Sequence, residues 1–321
     1  MCTRALWLDS GQGVIVGRNM DWERSLGTNL WVLPREIERT GIDGDSNPLT
    51  WRADYGSLVA TAYDLATADG INERGLAAHI LWLAESDYGP RDASLPALSM
   101  SMWAQLFLDR FATVTECVPY MAEHPFQVRP QAEPVSGRWG TVHLALDDAT
   151  GDSAIVEYID GAPRVHHDRA YRVMTNSPPF DQQLDHLRRY EGFGGRERLP
   201  GTTEAADRFV RASYYLARLP PAESRRRAYA ALLSVMCNAA QSFGVADPQR
   251  PYISTTIWRT LADLTGLVYA FESSFSPDII WVRVDQLDMS RCSRVDLSAE
   301  GLVGEVNDRF VPAEPFTFLF A

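Results

Sequence analysis

MCTRALWLDSGQGVIVGRNMDW (residues 1–22) contains two apolar runs, "TRALWLD" and "VIVGRNM", separated by the glycine-containing turn "SGQG". That pattern predicts a β-hairpin. The same stretch carries chemistry. Cys2 stands directly behind the initiator methionine, and methionine is generally excised before a small residue. Excision leaves Cys2 first in the chain, with a thiol and a free α-amine on neighbouring atoms. A thiol nucleophile needs a base or a lowered pKa. The α-amine is a base of suitable strength, because its reference pKa of about 7.7–8.0 lies close to the thiol's about 8.5. A buried aspartate can hold such an amine and a nearby arginine favours the thiolate, which are tasks that suit Asp21 and Arg18. The three residues are equally compatible with an incidental cysteine beside a structural Arg18–Asp21 ion pair.

Working outward, "NLWVLP", "SLVATAYD" and "GLAAHILWL" read as short strands, several of them apolar on both faces and so covered on both sides. "LPALSMSMWAQLFLDRF" reads as a helix capped by Ser94, with Pro96 in its first turn and Leu95, Leu98, Met102, Leu106 and Phe107 at helical spacing. "TVTECVPYMAEH" predicts a second, short helix. A proline-rich loop spans 125–139. Strands resume at "TVHLALDD" and "SAIVEYIDGAPRVHHD", where Asp160-Gly161 signals a hairpin turn. A strand ends at Asn176 before two prolines. Helices are expected near 180–190, 204–218 and 225–242, and strands at "YISTTIWRTLADLTGLVYAFESS" and "DIIWVRVDQL". Hairpins outnumber strand–helix–strand crossovers, which favours antiparallel sheets with helices on their outer faces. Nothing divides the chain, so residues 1–321 are expected to form a single catalytic domain.

The chain has 30 lysines and arginines against 42 aspartates and glutamates, a net charge of −12. That balance and the lack of a basic stripe argue against nucleic-acid binding. Arg225–Arg227 reads as a solvated helix start. No apolar run reaches about 18 residues, so no transmembrane helix is expected. No leader is recognisable, which points to the cytoplasm, or to the periplasm if a leader was removed. Cys117 and Cys237 fall in helical patterns and are expected to be buried, and Cys292 can be the same. The six histidines form neither HxxxH nor HExxH, so no metal and no cofactor are expected.

"MCTR", "GRNMDW", "TNSPPFDQQL" and "LPG…ADRFVRASYYL" together resemble the choloylglycine hydrolases, also called linear amide C–N hydrolases. The family includes bile salt hydrolases, penicillin V acylases and acyl-homoserine-lactone acylases. The resemblance implies an α+β, four-layer αββα N-terminal nucleophile hydrolase with two stacked antiparallel sheets, and a homotetramer. It implies Cys2 as nucleophile, Asp21 holding its amine, Arg18 beside the thiol, Asn176 as oxyanion donor and Arg208 completing the polar network. Trp82 stands where bile salt hydrolases carry asparagine; its backbone N–H can still serve the oxyanion, and penicillin V acylases similarly have an aromatic residue there. Trp22 and Trp82 then give a flat apolar slot that suits a phenoxyacetyl ring or acyl chain better than a hydroxylated steroid, unless either is an ordinary core residue. Leu26, Tyr63, Leu65, Val135 and Trp139 are the expected remaining walls. The function implied is cleavage of a small N-acyl amide through a thioester, with penicillin V or acyl homoserine lactones ahead of conjugated bile salts. If Met1 stays in place, the same scaffold would be a non-catalytic binding protein.

Overall fold

The opening hairpin forms as read. In the computed structural model, which describes residues 1–190, 197–244, 254–276 and 278–320, Cys2–Trp7 (β1) pairs antiparallel with Ile15–Trp22 (β2), Cys2 opposite Met20. They belong to a sheet of seven described strands, here sheet A. Its order is Val173–Met174, β1, β2, Thr255–Asp263, Val268–Ser273, Ile279–Arg283 and Gly304–Glu305. Sheet B has nine: Ala162–His167, Ser153–Ile159, Val142–Asp147, Ala77–Trp82, Ala66–Asn72, Ser57–Ala62, Leu30–Leu33, Ser293–Val295 and Val311–Pro312.

Alternation within the apolar runs explains the stacking. Leu30 and Val32 point into the core shared with sheet A, whereas Trp31 and Leu33 join a second core with helix α1 (Trp103–Arg110) and helix α2 (Val114–Glu123). Leu58 and Ala60 likewise face sheet A while Val59 faces outward. Strands apolar on both faces are the signature of a sheet buried on both sides. Helices α4 (Ala205–Leu216) and α5 (Arg225–Ala239) cover the other side of sheet A, and α3 (Phe180–Leu187) packs on α4. The result is the expected α+β four-layer order: helices, sheet A, sheet B, helices. Gly17 allows α5 to lie close on β2, since a Cβ there would stand 2.8 Å from the Met236 Cγ. Asp160 and Gly161 both take positive φ in the expected two-residue hairpin turn.

The structure departs from the sequence reading in five places. The helix expected from Leu95 begins only at Trp103, because Ala97–Ser99 pairs in parallel with Gln127–Arg129 and is drawn out as a strand. Ser99, not Ser94, accepts the capping bond, from Ser101 N–H; the Ser94 hydroxyl bonds Asp92. Part of the 125–139 loop is thereby ordered as a strand. The strand Ala66–Asn72 was not anticipated, and neither were the short strands after residue 290. Cys237 is exposed on α5, although Cys117 and Cys292 are buried.

One irregularity in sheet B positions the site. Strands Ala66–Asn72 and Ala77–Trp82 pair only from Ile71/Ala77 to Asp69/His79. Beyond that they part, and Ala66–Ala68 faces Ile80–Trp82 across a cavity of about 160 Å³.

Candidate active site

The parted strands free backbone groups that a continuous ladder would have consumed. Leu83 N–H donates to Thr141 O on the neighbouring strand, so the odd residues there exchange bonds with Val142–Asp147 and the even ones turn toward the split. Two of the freed carbonyls are taken by long side chains. Arg18 Nη2 donates to Ile80 O at 2.7 Å, and Asn176 Nδ2 donates to Trp82 O at 2.6 Å. The N–H of Trp82 faces the same side.

Cys2, at the start of β1, is buried at one end of this cavity. Its Sγ lies 3.5 Å from Arg18 Nη2 and 3.6 Å from the Met20 sulfur. Arg18 is fully buried, stacked 4.5 Å over the Trp258 ring, with Asp69 3.9 Å from its Nη1. Asp69 in turn accepts from Tyr269 at 2.6 Å and pairs with His79 Nδ1 at 2.7 Å. Burial opposes the Asp69 charge, but His79, Arg18 and Tyr269 outweigh it and hold the carboxyl below its ordinary range; burial pushes the His79 imidazole down.

With Met1 in place, the Cys2 backbone N–H donates to Asn176 Oδ1 at 2.7 Å. Arg208 Nη2 donates to the same oxygen at 2.7 Å, and Arg208 Nη1 to Cys2 O at 2.5 Å and to the Thr3 hydroxyl at 2.6 Å. A guanidinium can only donate, so Arg208 fixes the Asn176 amide with its oxygen toward Cys2 and its NH₂ toward Trp82 and the cavity. The amide has two N–H groups, of which Trp82 O uses one. Gln183 holds the Asn176 and Pro178 carbonyls from α3.

Asp21 meets the chain start through its backbone: the Met1 amine donates to Asp21 O at 2.6 Å, and Asp21 N–H donates to Met1 O at 2.8 Å. Its carboxylate is held by Thr256 at 2.5 Å and Gln241 at 2.7 Å, with Arg208 3.7 Å away. Burial pushes the terminal amine below its ordinary value, against the opposing pull of Cys2 and Asp21. The structure thus brings Cys2, Arg18, Asp21, Asn176, Arg208 and Trp82 together. Sequence reasoning missed Thr256, Gln241, Asp69 and Trp258: Thr256 and Trp258 arrive through pairing of the late strand Thr255–Asp263 with β2, Gln241 through its bonds to Thr256, and Asp69 from the facing sheet B.

Trp22 and Trp82 both line the cavity and touch each other, with ring centroids 5.8 Å apart and planes tilted by 50°. Leu26, Tyr63 and Leu65 line it as well. Val135 and Trp139 do not: they are 57% and 60% exposed. The turn at Glu133–Arg138, closed by Glu133 N–H to Arg138 O and Gly137 N–H to Glu133 O, leaves both side chains in solvent. Glu133, Pro134 and Arg138 form that wall instead, with Glu133 bonded to the Tyr63 hydroxyl and Arg138 to Glu23. Among the described residues, no group of three or more His, Cys, Asp or Glu side chains could hold a metal, and no helix is long and apolar enough to cross a membrane.

Residues 2–300 match the family model of linear amide C–N hydrolases, choloylglycine hydrolase family. A penicillin V acylase of Pectobacterium atrosepticum is 40% identical, with 99% of this chain and 92% of that protein covered. The solved structure of a penicillin V acylase from Agrobacterium tumefaciens superposes with a TM-score of 0.91 at 43% identity, with both chains fully covered. A bile salt hydrolase/transferase of Clostridium perfringens is more distant, at 27% identity over 67% of this chain and 71% of that protein. The fold, the order of its motifs and these matches agree: this chain belongs to the linear amide C–N hydrolases of the choloylglycine hydrolase family and is an amidase with the N-terminal nucleophile fold.

Proposed function

We propose that the protein, after removal of Met1, hydrolyses penicillin V or N-acyl homoserine lactones through a thioester on Cys2. The observation that carries this is the position of the thiol, between Arg18 and an apolar cavity walled by Trp22 and Trp82. The α-amine of Cys2 takes the thiol proton, and sulfur attacks the acyl carbonyl carbon. The oxygen of the tetrahedral intermediate meets two preorganised donors, the Trp82 N–H and the second N–H of Asn176. The C–N bond breaks as the ammonium returns its proton to the leaving amine. Water, deprotonated by the same amine, then attacks the thioester and releases the acid. Arg208 holds the main chain of Cys2 and the amide of Asn176 in register throughout. Asp21, anchored by Thr256 and Gln241, holds the new terminus.

Substrate preference follows from the walls. Paired indoles accept a flat ring or a flexible chain, and an apolar cavity gives few partners to steroid hydroxyls. The test is hydrolysis of penicillin V, decanoyl homoserine lactone and glycocholate side by side. The expected order puts glycocholate last; a preference for glycocholate rejects the aromatic-slot reading. Trp82→Asn is expected to lower kcat/KM for penicillin V by about tenfold or more while sparing kcat on a short acyl substrate. Equal losses on both would remove Trp82 from acyl recognition.

The pH profile supplies a further check. A base must be unprotonated to act, and the Cys2 nitrogen from which the new amine forms is buried, a setting that disfavours the charged form of an amine. The ascending limb of kcat/KM against pH is therefore expected below about pH 8, the ordinary range of an α-amine. A limb above that value would contradict a buried α-amine as base. The resemblance also implies a homotetramer. The side chains of Ile279 and Trp281, exposed on sheet A, offer it apolar surface, and light scattering of the purified protein decides it. A reducing, cytoplasmic setting suits four cysteines that are all free, one of them exposed.

A further inference from the structure

The cavity does not end between the sheets. Cys2 and Met20 belong to sheet A, whereas Met100 and Ser101, which line the same cavity, lie in the layer outside sheet B, just before α1. The passage between them is the gap where Ala66–Ala68 and Ile80–Trp82 part. An acyl group starting at the Cys2 sulfur therefore runs through sheet B toward the outer helical layer. Its far end is met by Leu319, from the C-terminal segment.

That segment is fastened where it crosses the cavity. Leu319 N–H donates to Leu65 O at 2.8 Å. Leu319 O accepts from the hydroxyls of Ser99 and Ser101, at 2.7 and 2.8 Å. Both backbone polar groups of one residue are thus tied to the two walls beside the gap. On the N-terminal side, Phe316 packs edge-on against Trp31 at 5.3 Å and against Phe318 at 4.7 Å, and Arg39 lies 5.3 Å over the Phe318 ring. The two hydroxyl oxygens lie 2.8 Å apart, and each has a single proton, which it gives to Leu319 O. None of these residues touches the reacting atoms, and the hydroxyls point at the strap rather than leaving polar groups in the apolar passage.

We propose that the strap centred on Leu319 is the end wall of the acyl site and sets the longest acyl chain the enzyme accepts. The inference rests on reading this cavity as the acyl site. Physically, a chain that reaches Leu319 gains apolar contact with each methylene, and one that exceeds it must displace a side chain whose backbone is held by three hydrogen bonds. Affinity therefore rises with chain length and then breaks off. Shortening Leu319 moves the break outward and enlarging it moves the break inward.

The experiment is a chain-length scan from hexanoyl to tetradecanoyl homoserine lactone on the wild-type enzyme, Leu319→Ala and Leu319→Phe. Leu319→Ala is expected to raise kcat/KM for the first chain past the wild-type optimum by about tenfold relative to the optimum itself. Leu319→Phe is expected to move the optimum to a shorter chain. Equal iodoacetamide labelling of Cys2 in all three proteins shows that the thiol site is intact. Unchanged profiles in proteins with intact thiols overturn the inference while leaving the acylase reading standing. If no lactone is hydrolysed at all, the lactone half of the acylase reading fails. Binding of straight-chain fatty acids, followed by tryptophan fluorescence over the same lengths, then decides the end wall alone: displaced optima support it and coincident optima overturn it.

Discussion

Replacing Cys2 with alanine is expected to leave a folded protein with amide hydrolysis at background. The substitution removes one sulfur atom from a position whose backbone is held by Asn176 at its nitrogen and by Arg208 at its carbonyl. Alanine is as small as cysteine for methionine removal, so the new α-amine still forms. What is lost is the atom that attacks. Cys2→Ser tests the same point more sharply, because it keeps a nucleophilic atom in nearly the same place. A hydroxyl is far less acidic than a thiol, and a terminal amine is a poor base for it. Arg18, at 3.5 Å from the sulfur, favours an anion that the hydroxyl scarcely forms. The serine protein is expected to turn over at under about a thousandth of the wild-type rate. Retained turnover in either variant would remove Cys2 from the mechanism. Thermal unfolding of both variants near the wild-type temperature completes the check.

Asn176→Ala is expected to lower kcat by roughly 100–1000-fold, the cost of about 3–4 kcal/mol for one preorganised oxyanion donor. The geometry makes the role specific. The amide oxygen is committed to Cys2 N–H and Arg208, so its nitrogen must face Trp82 and the cavity. The Trp82 N–H remains as a donor in the variant, which is why activity falls rather than vanishes. Arg208 keeps its bonds to Cys2 O and Thr3, so the start of β1 stays in place. A loss confined to KM would assign Asn176 to substrate binding instead.

How much of this was legible in the sequence differs by residue. The β1–β2 hairpin announced itself through its turn, and the double-faced strands through unbroken apolar runs such as "LWVL". The strand Ala66–Asn72 did not, because its sequence "ATADGIN" holds small and polar residues that sheets usually avoid. Those residues are there for the site. Ala66 and Ala68 leave room for the cavity, and Asp69 is the carboxylate beside Arg18. Local preference and global fold disagree here because the position serves the chemistry. The stretch around Ala97 failed for another reason. Its helical spacing was genuine, but a parallel partner thirty residues downstream claimed the backbone.

The candidate site divides in the same way. Cys2, Arg18 and Asp21 lie within one hairpin, and elementary acid–base chemistry linked them before any fold was known. Asn176 and Arg208 came only through resemblance, since nothing local says that a turn before two prolines and the first turn of α4 meet at Cys2. Thr256 and Gln241, which hold the Asp21 carboxylate, carry no signal in their own neighbourhoods. Val135 and Trp139 were expected in the wall because they are apolar residues in the right loop. A tight turn sends them to solvent, and the charged residues beside them take the place. Leu319 carries no local signal, because about three hundred residues separate it from the thiol whose cavity it lines.

The measurement closest to the central claim is mass spectrometry of the enzyme quenched in acid during turnover of penicillin V. The account predicts a chain that begins at Cys2, with the phenoxyacetyl group on the N-terminal peptide as a hydroxylamine-sensitive thioester. A chain that retains Met1 and still hydrolyses the substrate, or an acyl group found on any other residue, would contradict it.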